Sequence, residues 1–465
     1  MSSRGSKPRL ETHNLQLKTL LKRITQQVID SAKKSGASAA DVMIREDETF
    51  SVTVRMAEIE TLKEAVSRNL MLRVFIGKRT ATSHTSDISA PAVDRLVAET
   101  VEMARLTSED ESGGLPEQCF FQGNYPDLNL LDPSWENVTH EERIGLAVRT
   151  EKAALSTDKS ITNSEGASFE YARSRVALAN SVGFSGQYEG TTAAIFCVPI
   201  AQSKDGMQRD HWLSAARHRH QMETPEAIGR KAAERAIRRL GARKIPTCRV
   251  PVVFDPLSAR SLLSHIFDAV AGSAIYRRSS FLIDQIGQPV ASSNVTLLDD
   301  ARMPAGLGST PFDDEGVSTQ TTPIIENGTL RNYLHSAYTA RKLGARPTGN
   351  GSRAGSGVVT IGPTNFYLKA GAYTPEEIVR SIKSGLYVVE LIGFGVNTVT
   401  GDYSRGAVGI WIENGQLTHP VQEVTIAGNL REMLKNIEMV GNDVTFLGSI
   451  AAPTLKIGKM VISGE

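Results

Sequence analysis

After a polar, basic stretch at 1–14 that reads as disordered, apolar residues fall into a helical rhythm. Leu17, Leu20, Leu21, Ile24, Val28 and Ile29 recur at three- and four-residue intervals, which stacks them on one face of an α-helix over 15–35. Gly36 follows, suited to the left-handed conformation that ends helices. Short β-branched or alternating runs at 41–45, 50–57, 71–76 and 80–85 predict strands. A second helix at 90–106 leads into Thr107-Ser-Glu-Asp-Glu-Ser-Gly-Gly-Leu-Pro116, acidic and rich in breakers, which marks a first boundary.

The middle of the chain predicts a helix at 141–155 and a meander of strands at 174–180, 187–188 and 192–201. Lys204-Asp-Gly206 is the expected turn into 208–216. A closing helix has Thr224 as N-cap, Pro225 in its first turn and Gly241 as its stop, and residues 244–247 form a second boundary. Beyond it come a buried strand at 250–254, a helix at 257–271, and a capping box, Thr374-Pro-Glu-Glu377, whose helix is expected to end at Gly385. Ile325-Glu-Asn-Gly328 and Ile412-Glu-Asn-Gly415 each predict a tight hairpin. The expected segments are 14–107, 119–243 and 246–465. Strands and helices mix without sustained alternation, so the fold class is α+β and two-lobed, an N-terminal α/β region plus a strand-rich C-terminal domain.

Composition narrows the function. Of 465 residues, 40% are apolar and 22% charged, and Lys+Arg 52 against Asp+Glu 51 leaves a net charge of +1. That balance argues against a dedicated nucleic-acid or membrane-surface binder. The three cysteines, Cys119, Cys197 and Cys248, are scattered and form no disulfide framework or metal knuckle. The start lacks the apolar core of a signal peptide. The stretch 386–400 contains Glu390 and two glycines and is too short to span a bilayer. These features lead us to expect a soluble cytoplasmic protein.

Candidate chemistry is sparse. His218-Arg-His220 would put two imidazoles on one face of a strand, a spacing metals use, yet no third ligand is near and the segment reads as exposed surface. His265 and Asp268 fall on one face of a helix, where Asp can orient His for acid–base work or simply cap and pack the helix. Gly349-Asn-Gly-Ser-Arg-Ala-Gly-Ser-Gly357 has the backbone of an anion cradle with Arg353 assisting, but reads more simply as a flexible surface loop. The same holds for Gly393-Phe-Gly395. Arg230, Lys231, Arg235, Arg238, Arg239, Arg243 and Lys244 crowd one helix and its exit, opposite the apolar Ile228, Ala232, Ala236, Ile237 and Leu240. Without interleaved aromatics this is a solvated face rather than a nucleic-acid stripe.

Several ordered blocks in the last 220 residues carry a resemblance. They are Tyr276-Arg-Arg-Ser-Ser-Phe281, Ser309-Thr-Pro-Phe-Asp-Asp-Glu-Gly316, Leu334-His-Ser-Ala-Tyr-Thr-Ala-Arg341, Thr400-Gly-Asp-Tyr-Ser-Arg-Gly406 with Trp411-Ile-Glu-Asn-Gly415, Ile426-Ala-Gly-Asn-Leu430 and Met439-Val-Gly-Asn-Asp443. The chain resembles the TldD/PmbA family, the modulator-of-gyrase or U62 peptidase group, and most closely its PmbA/TldE branch. In that family, active TldD-type members carry an H-E-x-x-x-H helix and a later cysteine that hold zinc, with the Glu as general base. Counted back from Tyr276, those positions fall here on Leu263, Ser264 and Asp268, and no cysteine follows Cys248.

The resemblance implies a non-catalytic subunit with no metal of its own, paired with a zinc-bearing TldD-like partner in a cytoplasmic peptidase that acts on unfolded peptides. It further implies a peptide channel, which the blocks around Tyr403, Arg405 and Asn442 either line or support through tight turns. Because homodimers are the commonest soluble oligomers, a homodimer is expected when the partner is absent. Two rival readings remain. One is a metallopeptidase in its own right with relocated ligands such as His218 and His220. The other is a binding protein that modulates DNA gyrase through the basic helix.

Overall fold

A computed structural model describes residues 7–204 and 206–464, with side chains from residue 16 onward. Residues 1–6 of the expected disordered start, and Asp205 of the expected turn, lie outside that range. The fold is α+β. Helix α1 (Lys7–Lys34) begins well before 15, because Lys, Glu, Gln and Leu are helix formers even where no apolar stripe announces them. Gly36 follows at φ 99°, the left-handed stop its position predicted.

The first and middle segments build one sheet. Its order is β3-β2-β1-β4-β5-β6, with β7 also pairing β5. The strands are β1 (Ala39–Arg55), β2 (Glu58–Ile76), β3 (Arg79–Thr85), β4 (Ile161–Asn180), β5 (Ser185–Ser203), β6 (Gly206–Arg209) and β7 (Trp212–Ala216). The expected strands at 41–45 and 50–57 are thus one long strand, and so are 187–188 and 192–201. The run at 208–216 is instead split by Asp210, a buried carboxylate turned toward Arg235.

One face of this sheet explains the false break in β1. Val42 and Ile44 pack under α1 and α2 (Ala90–Leu106), whereas Phe50, Val52 and Val54 pack under α3 (His140–Leu155) and α4 (Pro225–Ile237). Between the two helix pairs the same face carries Glu46 and Glu48, paired with Arg175, while Glu189 is paired with Arg173 and with Lys18 of α1 at 3.0 Å. The alternation of strand side chains is unbroken, and only the chemistry changes. On the opposite face, Met43, Met71, Val176 and Leu178 meet Phe184 and Phe312.

The C-terminal lobe is organised by a closed ring of five strands. β8 (Cys248–Phe254) runs parallel to Ser384–Ile392, which pairs with Asp402–Glu413, then Gln416–Asn429, then Leu455–Ser463, which returns to β8. A second sheet centred on Leu297–Asp300 lies beside it. Helix α5 (Pro256–Val270) joins the two, burying Leu262, Leu263 and Ile266 in the core that holds Phe254, Val388 and Phe366. Each such side chain contributes roughly 1.5–3 kcal/mol on burial.

Both expected hairpins form, with Asn327/Gly328 and Asn414/Gly415 at positive φ as a type I′ turn requires. The capping box closes on Thr374 and Glu377, but its helix ends at Arg380 and Gly385 sits inside the next strand. Likewise α4 ends at Ile237, so Gly241 lies beyond it, at φ 73°.

Candidate functional site

Helix α5 is well founded. Asp255 caps it by accepting from the backbone N–H of Ser258 at 2.8 Å, and Pro256 fills the first turn. Its three positions that correspond to a zinc-binding motif do not offer a ligand set. Leu263 is 4% exposed and belongs to the core, the Ser264 hydroxyl donates to the carbonyl of Ser261 at 2.7 Å, and Asp268 stands at the surface. Surrounding protein bulk pushes the Asp268 carboxyl above its usual range. A zinc ion does not fit these residues: one carboxylate cannot replace two imidazoles and a thiolate. Among the described residues, no group of three or more His, Cys, Asp or Glu is placed to hold a metal.

His265 does not engage Asp268. Its Nε2 lies 3.3 Å from Nη1 of Arg405, and its ring meets Tyr403 edge-on at 6.4 Å. Burial, helped by Arg405, lowers the imidazole pKa, so a neutral ring accepts the guanidinium N–H. Arg405 also donates to the carbonyl of Ile392 at 3.3 Å and to Ser261. Tyr403 is 1% exposed and its hydroxyl is one of the buried oxygens without a hydrogen-bond partner among the described residues. Tyr403 and Arg405 therefore come together behind α5. Asn442 is exposed elsewhere, its backbone N–H bonded to the carbonyl of Tyr373 at 2.8 Å.

His218 and His220 are not on a strand. They flank and enter a one-turn helix, Arg219–Gln221, with ring centroids 5.5 Å apart. His220 is exposed, whereas His218 is buried with Nε2 2.8 Å from the carbonyl of Asn129 and Nδ1 4.0 Å from Asp132. The pair follows the local turn rather than the pleat, because Asp132 captures the N–H of Arg219 at 2.8 Å.

The basic helix departs further from a solvated face. Arg235 and Arg239 are buried. Arg235 pairs with Asp210 and Asp255 at 3.2 and 3.1 Å, Arg239 with Glu390 at 2.7 Å, and Lys231 sits 3.5 Å over the Trp212 ring. Lys244 pairs with Glu423. Arg235 and Arg239 thus bind the helix to both lobes, while Arg230, Lys231, Arg243 and Lys244 stay exposed.

The glycine-rich stretch is also committed. Gly351–Arg353 forms a short strand, and the Arg353 guanidinium reaches 2.7 Å from Asp41 of β1. Arg73 joins the same cluster, its Nε 3.0 Å from Asp41 and its Nη2 3.0 Å from Glu315. Glu315 accepts from the N–H of Ala337, and Asp313 accepts from Gly351, Glu315 and Val317. Burial works to raise the Asp41 carboxyl, but Arg353 and Arg73 outweigh it and hold it below the usual range. Asp313 goes the other way, raised by burial and by Glu315.

Sequence reasoning missed Asp41 and Arg73. Their signal was a charge inside otherwise apolar strands, in Asp41-Val-Met-Ile44 and Leu72-Arg-Val-Phe75. The acidic boundary segment is pinned as well. Arg341 donates to the carbonyls of Ser112, Gly114 and Leu115, and Tyr338 and Lys342 both hold Asp110.

Three family models tile this architecture: PmbA/TldA metallopeptidase domain 1 over residues 40–104, the central domain over 133–240 and the C-terminal domain over 247–464. The chain belongs to the PmbA/TldD metallopeptidase family. It is 35% identical to the metalloprotease PmbA of Escherichia coli O157:H7, covering 96% of this chain and 97% of that one, and 34% identical to a PmbA homologue of Haemophilus influenzae, covering 96% of each. Among solved structures, a protein named as a modulator of DNA gyrase from Bacteroides thetaiotaomicron superposes with TM-score 0.89 at 26% identity, covering 96% of this chain and 99% of that one. TldE from Thermococcus kodakarensis shares the fold at TM-score 0.85 and 23% identity, covering 95% and 100%. Within this PmbA/TldD chain, the blocks around Glu315 and Arg341 act as fasteners between the sheet lobe and the ring lobe. No described helix is long and apolar enough to cross a membrane.

Proposed function

We propose that this chain is the non-catalytic, PmbA/TldE-like subunit of a cytoplasmic zinc peptidase built from two related chains. The zinc and the general base belong to a TldD-like partner, and the complex acts on unfolded peptides. This chain shapes the peptide channel and stabilises its partner. The observation that carries the reading is α5: its cap, burial and packing are those of an intact scaffold, while Leu263, Ser264 and Asp268 supply no ligand set. Asn442 is the exposed member of the proposed lining set, and Tyr403 and Arg405 brace α5 from behind.

The test is cleavage of an unstructured peptide by the purified chain alone and mixed with a zinc-bearing TldD-like homologue, each with and without chelator. The reading expects chelator-sensitive cleavage in the mixture and none in the chain alone. Stoichiometric metal and chelator-sensitive cleavage by this chain alone would sink it.

A further inference from the structure

A cleft of about 690 Å³ opens beside the second sheet of the ring lobe, away from the side chains just described. Its lining holds three arginines, Arg302, Arg331 and Arg346, and no carboxylate. By contrast, the buried arginines Arg235, Arg239 and Arg353 are each paired with an acid. Arg302 is positioned by donating from Nε to the carbonyl of Thr319 at 2.7 Å and from Nη2 to Gln122 at 3.3 Å, neither of which neutralises it. Arg346 lies over the Phe120 ring at 5.5 Å and has no ion pair among the described residues. Arg331 is partly offset at the rim by Glu326, 3.1 Å away. Burial pushes His335, in the same lining, down to about 4, so it adds no charge at neutral pH.

The geometry points to a binding site for a terminal oxyanion, a carboxylate or a phosphate, carried on a ligand whose apolar part lies against Phe120 and Ile286. A cleft lined by one sign of charge concentrates counter-ions, and its low-dielectric walls strengthen the attraction. Guanidinium forks match the two oxygens of a carboxylate or phosphate, which a set of lysines would not do. Arg302 offers a preorganised donor because its Nε and Nη2 are already fixed. The exposed Arg346 is free to close over the ligand. The choice of a peptide end as one source rests on the peptide-handling reading above. The site itself does not.

The test is calorimetric titration of the isolated full chain with N-acetyl-Ala-Ala-Phe as free acid, with the same peptide as its amide, and with phenyl phosphate. The inference expects the acid or the phosphate to bind with Kd below about 1 mM, the amide at least tenfold more weakly, and Arg346→Glu to weaken binding at least tenfold. Arg346 is exposed, so the variant should keep the wild-type circular dichroism spectrum; Arg331→Gln serves as the second variant. Binding of the acid alone identifies a peptide end, and binding of phenyl phosphate alone identifies a phosphate ester. No binding of either, equal binding of acid and amide, or indifference to both variants overturns the site. Neither partner nor cleavage enters the readout, so this proposal and the subunit reading fail separately.

Discussion

Arg353 of the ring lobe and Asp41 of β1 form an ion pair at 2.7 Å in which neither charged group reaches solvent. Breaking it from one side strands a buried charge. Asp41→Asn leaves Arg73 and Arg353 with Glu315 and Asp314 as the neighbouring acids but without their shared carboxylate, and should cost about 3–5 kcal/mol. Urea denaturation followed by Trp fluorescence checks this, and Arg353→Met combined with Asp41→Asn should recover part of the loss. Because the folded-state pKa of Asp41 is lowered, its contribution is complete above the unfolded value near 4 and disappears as pH falls through the folded value.

Asp299 carries the opposite sign. Burial raises its carboxyl to about 6, against hydrogen bonds from Asn350 at 2.6 Å and from the Thr364 N–H at 2.9 Å. A raised acid binds its proton more tightly in the folded state than in the unfolded chain. Its contribution is therefore fully present below about 4 and is lost as pH rises through about 6, by roughly 2–3 kcal/mol. Asp299→Asn removes that dependence. The stability difference between wild type and variant, measured at pH 4.5 and pH 7.5, should move against the wild type at the higher pH, and an unchanged difference rejects the assignment.

The contrast between these two acids shows what was legible in the sequence. Helix faces and turns were readable because local spacing dictates them: Leu21 and Val28 share a stripe, Thr224 caps, and Asn414-Gly415 turns. The mixed α+β class followed from the order of those elements, and the family blocks were visible in the last 220 residues. Strand length was not readable, since Glu46 and Glu48 interrupt the apolar alternation while the backbone continues. Partners far apart in the chain were hidden for a related reason. Nothing local to Arg235, Arg239 or Arg353 announces that Asp210, Glu390 and Asp41 wait across a tertiary contact, so these arginines read as solvated. His218 looked like surface for the same reason, its carbonyl partner at Asn129 lying in a distant loop.

Arg341 holds three carbonyls of the acidic segment at 107–116, at 2.8, 2.6 and 3.1 Å. Arg341→Ala should free that segment without unfolding either lobe, at a cost of about 1–3 kcal/mol for the lost charge-assisted bonds. Limited proteolysis should then cut first within 107–116, where the wild type resists. Lys would keep the charge but not the fork, so Arg341→Lys should fall between the two. Equal protease resistance in all three proteins would mean that Tyr338 and Lys342, through Asp110, suffice to hold the segment.

Restoring the resembled motif offers the sharpest test of α5. Leu263→His places an imidazole where a leucine with 4% exposure packs among Leu262, Ile266 and Phe366. Lost apolar contacts and a buried, unpartnered ring together should cost about 2–5 kcal/mol. Ser264→Glu and Asp268→His are milder, since Ser264 is half-buried and Asp268 is exposed. The triple variant should be less stable than wild type and bind zinc substoichiometrically, because no cysteine follows Cys248 to complete the set. Metal content by mass spectrometry after gel filtration in zinc decides it. One tightly held zinc per triple-variant chain would show that other residues near α5 complete a coordination sphere, and the proposed non-catalytic reading would then rest on three substitutions alone.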